Sequence, residues 1–398
     1  MQIKKISLMV SLSENICCHL CSSLALQILT PFSSLKRVTS DCQPWPSRGS
    51  LAQCSDCGLV QKVIDKKWQE EIKIIYQQYQ IYHQAKGAEQ VVFDNVSGAA
   101  LSRSQSLVEK LREEVNIPEN GSLLDVGCGN GAFLQAFSNV CPNWILTGSE
   151  LDDKNKAAIE AIPTVQKLHV GELDNLEEQF DIISFIHVLE HIPSPASLLK
   201  SLHKKFTPNG VLLIQVPYFA DNPFDLLIAD HCSHFTPKTL SKTLEAAGYT
   251  ISLLRTDIVT KEITLVANPN KTEEIFTFSS SVHREDAMNS LKWLQGVQEI
   301  ASSSQEVARS QGRPFGIFGT SIGGIWLFSS LKYPADFFVD EDKNRIGSKL
   351  YGVPILSPSE IPEGATVCIP LAPSVAEKIN KKFKDLSIKF TIFQNLKN

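Results

Sequence analysis

The chain has 398 residues, 43% hydrophobic and 20% charged, with 38 basic against 43 acidic residues for a formal net charge of −5. At roughly 100 to 200 residues per domain this length predicts two to four domains and excludes a single small module, and the near-average composition excludes a disordered or fibrous chain. The acidic balance offers no overall footprint for a polyanion, so no nucleic-acid partner is expected.

At the amino end, Lys4 and Lys5 precede Ile6, Leu8, Met9, Val10 and Leu12 in the manner of a secretory leader. The stretch is short, is interrupted by Ser7 and Ser11, and reaches Glu14 without a small-residue cleavage site, so it is not read as one. With no run of eighteen apolar residues, no membrane span is expected and the protein is expected in the cytoplasm.

Six of the ten cysteines (Cys17, Cys18, Cys21, Cys42, Cys54, Cys57) lie in the first 57 residues, which points to metal more than to disulfides. Cys18-His19-Leu20-Cys21 and Cys54-Ser55-Asp56-Cys57 are two Cys-x-x-Cys knuckles 32 residues apart. Four thiolates suit tetrahedral zinc, so Cys18, Cys21, Cys54 and Cys57 are expected to hold a structural Zn2+, with Cys17 and Cys42 as ordinary thiols. A redox-active pair would need a surrounding βαβ pattern, which is missing. Residues 1–75 are otherwise short apolar pieces broken by Ser, Pro and Gly that cannot build a core alone.

From residue 76 to 268 helix and strand alternate. Leu107, Val108, Leu111 and Val115 mark one helix face, and apolar runs at 122–126, 144–148, 164–168, 181–186 and 211–216 are spaced by helix-length segments. Runs at 250–254 and 263–267 close the unit. Thr236 as N-cap, Pro237 in the first turn and Gly248 past the end punctuate another helix. This pattern predicts a doubly wound α/β domain. Residues 269–398 repeat the alternation.

The chief chemical signal is Asp125-Val126-Gly127-Cys128-Gly129-Asn130-Gly131, an acidic strand end followed by alternating glycines that let the backbone approach a ligand. Glu150, 19 positions after Gly131, ends the next strand, where a carboxylate can take both ribose hydroxyls. A dinucleotide site would read Gly-x-Gly-x-x-Gly, so a nucleoside fits better.

With Phe180 to Ile192 added, these motifs resemble the class I S-adenosylmethionine-dependent methyltransferases. The resemblance implies that Asp125, Gly127 and Gly129 line the methionine and ribose end of the cofactor, that Glu150 holds the ribose, and that Glu172 and Leu173 flank the adenine. His187 would border the methyl donor or serve as a packed histidine. His191 is read as structural, opening a helix that carries Leu198, Leu199 and Leu202.

The paired knuckles followed by Gly58-Leu59-Val60-Gln61, with Phe318 to Gly324, Phe338 to Gly347 and Tyr351 to Pro358 at the other end, resemble the sugar C-methyltransferases over nearly the whole chain. That family joins an N-terminal zinc-binding domain, here 1–75, to a methyltransferase domain, here 76–268, and a C-terminal Rossmann-like domain, here 269–398, which would bind the nucleotide part of the substrate or be purely structural. Members acting on nucleotide-linked 4-keto deoxysugars methylate the carbon beside the ketone, so a small-molecule nucleotide sugar is the expected partner.

By the same resemblance, His231 is the base, with Asp230 in the place of the family's Glu. An imidazole near neutrality suits proton removal beside a carbonyl, although a loop histidine bonded to the backbone is the bland alternative. Tyr79 and Tyr82 resemble paired tyrosines that cover the cofactor, or are core aromatics. The sequence departs from the family at Ile228, Ala229, His234 and Ile322, where Tyr, His, Tyr and Lys are usual. A small-molecule O- or N-methyltransferase, a zinc-ribbon RNA methyltransferase and a non-catalytic cofactor-binding scaffold are the rival readings. Residues 1–75 carry nine basic and six acidic residues, a net of +3 that leaves −8 for the remainder, unfavourable for gripping phosphates.

Overall fold

The computed structural model describes residues 16–79, 91–93, 100–269, 284–384 and 389–391. Tyr82 and the segment from Met1 to Ser13 lie outside the described residues.

The amino-terminal part comprises β1 (Leu26–Ile28), a small hairpin of β2 (Arg37–Val38) and β3 (Pro44–Trp45), and β4 (Leu51–Cys54) paired antiparallel with β5 (Val60–Lys62). Helix α1 (Lys66–Gln78) starts where the Asp65 side chain accepts the Trp68 amide at 2.7 Å. Its Trp68, Ile72 and Ile75 recur at helical spacing and are buried, forming one face against Ala229 and Cys232. A second hairpin, β6 (Val91–Phe93) and β7 (Ala100–Ser102), leads into α2 (Arg103–Glu114).

The central unit then runs β8 (Gly121–Val126), α3 (Ala132–Val140), β9 (Trp144–Glu150), α4 (Lys156–Glu160), β10 (Val165–Val170), β11 (Phe180–Ile186), α5 (Pro195–Ser201) and β12 (Phe206–Pro217). After β13 (Ser233–His234) come α6 (Pro237–Ala246), β14 (Tyr249–Arg255) and β15 (Glu262–Pro269). Thr236 and Thr239 form a reciprocal cap on α6, and Gly248 takes φ +83° beyond its end. The seven-stranded sheet has the order β10-β9-β8-β11-β12-β15-β14. Its first five strands are parallel; β15 is antiparallel to both β12 and β14. The six residues between β14 and β15 are too few for a crossover helix, which forces the antiparallel pair the apolar runs did not reveal. Strand order reverses between β8 and β11, the switch point at which open α/β sheets bind ligands beyond the strands' carboxyl ends.

The carboxy-terminal part has α7 (Arg284–Ser310), β16 (Phe315–Phe318), α8 (Ile322–Ser330), β17 (Phe337–Val339), β18 (Lys349–Leu350), β19 (Val353–Leu356), β20 (Thr366–Cys368), α9 (Pro373–Lys382) and β21 (Lys389–Thr391). They form a second sheet in the order β18-β19-β17-β16-β20-β21, parallel except for β18.

The core-poor amino-terminal segment is stabilised by packing on both neighbours. Phe32, Leu35, Val38 and Leu51 share one apolar cluster with Phe224, Leu227 and the carboxy-terminal Leu291, Trp326 and Phe338, while Cys18, Cys54, Cys57 and Leu59 pack beneath the central sheet with Phe235 and Leu240. Strand β13 pairs with β5, extending the amino-terminal sheet to β1-β4-β5-β13 and tying the segment directly to the loop after β12.

One expected helix start is corrected. His191 does not open α5; it ends a 3-10 turn, Leu189–His191, and the helix begins at Pro195. Pro193 pushes Ile192 into extended backbone, φ −92° and ψ 117°, which breaks the helix there. Leu202 falls beyond α5 in a following 3-10 turn.

Candidate active site

A cleft of about 260 Å³ opens at the switch point. Its walls include Asp125, Gly127, Gly129 and His187 of the central unit, Ser40, Cys42 and Tyr79 of the amino-terminal part, and Ile322 and Arg345 of the carboxy-terminal part. His191, Asp225, Ile228 and His231 line it as well.

The glycine loop is formed as its spacing predicts. Gly127, Gly129 and Gly131 have φ of +66°, +62° and +83°, and a Cβ on Gly127 would stand 2.7 Å from Val188 Cγ2. The amides of Gly127 and Cys128 both donate to Ser149 O, clamping the loop to β9. Asp125 is buried with its carboxylate accepting from Ser184 Oγ at 2.7 Å, and burial raises its pKa to about 8. Glu150 Oε1 accepts from Gly129 N at 2.6 Å. The cavity wall therefore contains Asp125, Gly127, Gly129, His187 and Tyr79 of the expected cofactor set, whereas Glu150, Glu172 and Leu173 lie off it. Glu172 O is bonded to His169 Nε2 at 2.9 Å, and Leu173 opens a 3-10 turn that packs on the central core.

His187 holds a left-handed conformation, φ +57°, at the end of β11. A bulky side chain rarely adopts it, and such strain concentrates at functional positions. Burial and Arg103 oppose a charge on its ring, but Glu262, 3.1 Å from Nε2, and Glu190, 3.3 Å from Nδ1, raise its pKa to about 9.

His231 is buried, and its Nδ1 lies 2.7 Å from Asp225 Oδ1. Burial opposes its protonation; Asp225 overrides this and the pKa is raised. Asp230 is not the imidazole's partner. Its carboxylate accepts from Ser40 N at 2.9 Å and from Ser40 Oγ, and its carbonyl oxygen lies 3.1 Å from His191 Nδ1. The ring of His191 packs edge-on against His231 with centroids 4.6 Å apart. Far from serving only to start a helix, His191 is part of the cavity. Asp225, Glu262 and Lys62 had no motif to mark them, and Glu190, although inside the 180–192 motif, has no role assigned there; they converge from separate elements through tertiary packing.

The four knuckle sulfurs also converge, with Cys18 Sγ 3.4 Å from Cys57 Sγ, Cys21 Sγ 3.6 Å from Cys54 Sγ, and all four within 4.8 Å of one another. Tetrahedral zinc with Zn–S near 2.3 Å needs sulfurs about 3.8 Å apart, so the donor set fits. Each knuckle ends in a left-handed residue, Ser22 at φ +58° and Gly58 at φ +90°, whose amide donates to the first cysteine's carbonyl at 3.0 Å.

Residues 100–254 match the family model described as a methyltransferase domain. The ubiquinone biosynthesis O-methyltransferase of Hydrogenovibrio crunogenus is 32% identical over 100 residues, 23% of this chain and 41% of the relative. The dTDP-4-amino-2,3,4,6-tetradeoxy-D-glucose N,N-dimethyltransferase of Saccharopolyspora spinosa is 27% identical over 133 residues, 32% of this chain and 52% of the relative. The chain thus spans about half the length of the curated relatives it matches. Among solved structures, a methyltransferase of calicheamicin biosynthesis with SAH bound aligns with a TM-score of 0.34 at 20% identity over 42% of this chain and 54% of its own. Coclaurine N-methyltransferase bound to N-methylheliamine and SAH aligns with a TM-score of 0.38 at 16% identity over 46% and 60%. No helix among the described residues is long and apolar enough to cross a membrane. The central unit of this chain is a class I, S-adenosylmethionine-dependent methyltransferase domain.

Proposed function

We propose that this protein is an S-adenosylmethionine-dependent C-methyltransferase of a nucleotide-linked keto-deoxysugar or a related polar metabolite, with residues 1–75 as a zinc-binding domain, 76–268 as the methyltransferase domain and 269–398 as a substrate-binding domain. The observation that carries this reading is a buried, carboxylate-paired histidine, His231, in the same cleft as the glycine loop. Walls from all three parts of the chain line that cleft, so side chains of each could contact a bound donor or acceptor.

When bound, the cofactor supplies an electrophilic methyl group. Asp125, Gly127 and Gly129 would hold its methionine and ribose end, and Glu150 would exchange its bond to Gly129 N for the ribose hydroxyls. Glu172 and Leu173 would flank the adenine, and Tyr79 and Tyr82 would cover the site, with His187 beside the transferring methyl. His231 takes the proton next to the ketone at Nε2, leaving that carbon as the nucleophile, while the Asp225 carboxylate stabilises the imidazolium. Zn2+ held by Cys18, Cys21, Cys54 and Cys57 would be structural, since four thiolates leave no open position.

A second reading has one specific support, the similarity to a sugar N,N-dimethyltransferase. Methylation of an amino sugar would keep the cofactor and substrate class and need no base for a carbon acid. The experiment is SAH release from the zinc-loaded protein with a panel of nucleotide 4-keto and 4-amino deoxysugars, alongside His231→Asn, with the methylated atom assigned by NMR. Methyl on carbon, lost in the variant, supports the first reading; methyl on nitrogen, retained in the variant, replaces it with the second.

A further inference from the structure

Beyond the cleft, the Asp225–His231 pair continues into the interior. Asp225 sits on the 3-10 turn Pro223–Leu227, and its second oxygen, Oδ2, lies 2.6 Å from His234 Nδ1. His234 Nε2 in turn lies 2.8 Å from Lys62 Nζ, which also donates to Leu226 O at 2.6 Å. Lys62 is on β5 and His234 on β13, two strands held in register by the pairing of His234 with Val60. All four side chains are buried, with exposures of 0% for Lys62, 2% for Asp225, 1% for His234 and 4% for His231. At that depth each donor needs a defined acceptor, because bulk water cannot substitute.

The donor inventory then fixes the protons one after another. While Lys62 is an ammonium it only donates, so in that state His234 Nε2 is bare and the ring proton sits on Nδ1. That N–H donates to Asp225 Oδ2, which requires an ionised carboxylate. The other carboxylate oxygen takes the Nδ1–H of His231, so in the neutral ring the bare nitrogen, able to accept a proton, is Nε2.

We infer that Asp225, His234 and Lys62 are positioning residues for His231, a buried chain in which a lysine from the amino-terminal segment fixes the imidazole tautomer at the active site. The role assigned to His231 rests on the proposed base chemistry; the tautomer does not. The charges agree with this order. Burial and then Lys62 lower the His234 pKa to about 4, keeping that ring neutral. Burial opposes ionisation of Asp225, but His234 and His231 hold its carboxyl below the usual carboxylate range. Lys62, lowered to about 7 by burial, is faced by Asp225, Arg37, Cys232 and Asp230, and His231 by Asp225, Glu190 and Asp230, with the His191 ring against it.

The test is imidazole 15N NMR over a pH series on the full-length, zinc-loaded protein, with Asp225→Asn and Lys62→Met. In the unmodified protein the neutral rings of His231 and His234 are expected as Nδ1–H tautomers. Asp225→Asn should abolish the His231 preference and lower kcat on a methylated acceptor about 100- to 10,000-fold, with SAH affinity held within about threefold as the check on folding. Lys62→Met should raise the pKa of His234 towards that of an ordinary histidine. An Nε2–H tautomer at His231 in the unmodified protein overturns the inference, as does an unchanged His231 tautomer in Asp225→Asn or an unchanged His234 titration in Lys62→Met. The tautomer is read without an acceptor, so failure of the keto-sugar panel would sink the proposed reaction and leave this inference standing on its own measurement.

Discussion

Trp68 Nε1 donates to Ala229 O across 3.1 Å, joining α1 to the loop that carries His231. The indole is itself buried against Ala229 and Cys232, so it acts as the floor on which that loop rests. Trp68→Ala is expected to cost about 3–5 kcal/mol of stability through the cavity it leaves. Trp68→Phe keeps most of the packing but orphans the carbonyl, at about 1–3 kcal/mol. Urea unfolding measures both, and a loss below 1 kcal/mol for the alanine variant would remove Trp68 from this role.

Gly127→Ala should act on cofactor binding. The added Cβ meets Val188 Cγ2 at 2.7 Å, and φ +66° is costly for any residue with a side chain, by about 1–2 kcal/mol. The strain falls on the loop that would cradle the cofactor, so SAH affinity measured by calorimetry should drop at least about tenfold, equivalent to ~1.4 kcal/mol. Unchanged affinity would show that the cofactor does not use this turn.

What the sequence makes legible here is what is local. The glycine loop announces itself because three positive-φ positions must be spelled as glycines, and the knuckles because two thiols reach one ion only at fixed spacing. Thr236, Pro237 and Gly248 likewise mark a helix by its ends. Asp225 carried no such mark: six residues from His231 on an irregular turn, it becomes a partner only through the packing of the 219–228 segment onto the carboxy-terminal core. Lys62 carries no mark in the sequence either, and its burial comes with the pairing of β5 and β13. Asp230, next to His231 in sequence, turns its carboxylate to Ser40 instead.

Zinc content separates the six amino-terminal cysteines. The protein should bind one zinc per chain, retained in Cys17→Ser and Cys42→Ser and lost in Cys54→Ser, as read by elemental analysis. Because Cys18, Cys54 and Cys57 share a core with Phe235 and Leu240 under the central sheet, chelation should lower the stability of the central unit along with the amino-terminal segment. Equal zinc loss in Cys42→Ser would mean that the ligand set is different.

The acidic limb of kcat/KM reports the base of the free enzyme. His231 must be unprotonated to accept a proton, and the Asp225 carboxylate raises its pKa above the ordinary 6.5, so activity should fall as the pH drops through a value above 6.5. Below that value the decline should be about tenfold per pH unit. Asp225→Asn removes the carboxylate that favours the imidazolium while burial continues to oppose it, so the residual activity of the variant should show its limb at lower pH. His187, raised to about 9 by Glu262 and Glu190 against burial and Arg103, already carries its charge across the neutral range. It cannot produce a limb near neutrality, and neither can Asp225, whose carboxyl stays ionised there. A limb that stays in place in Asp225→Asn would therefore assign the titration to a group other than His231.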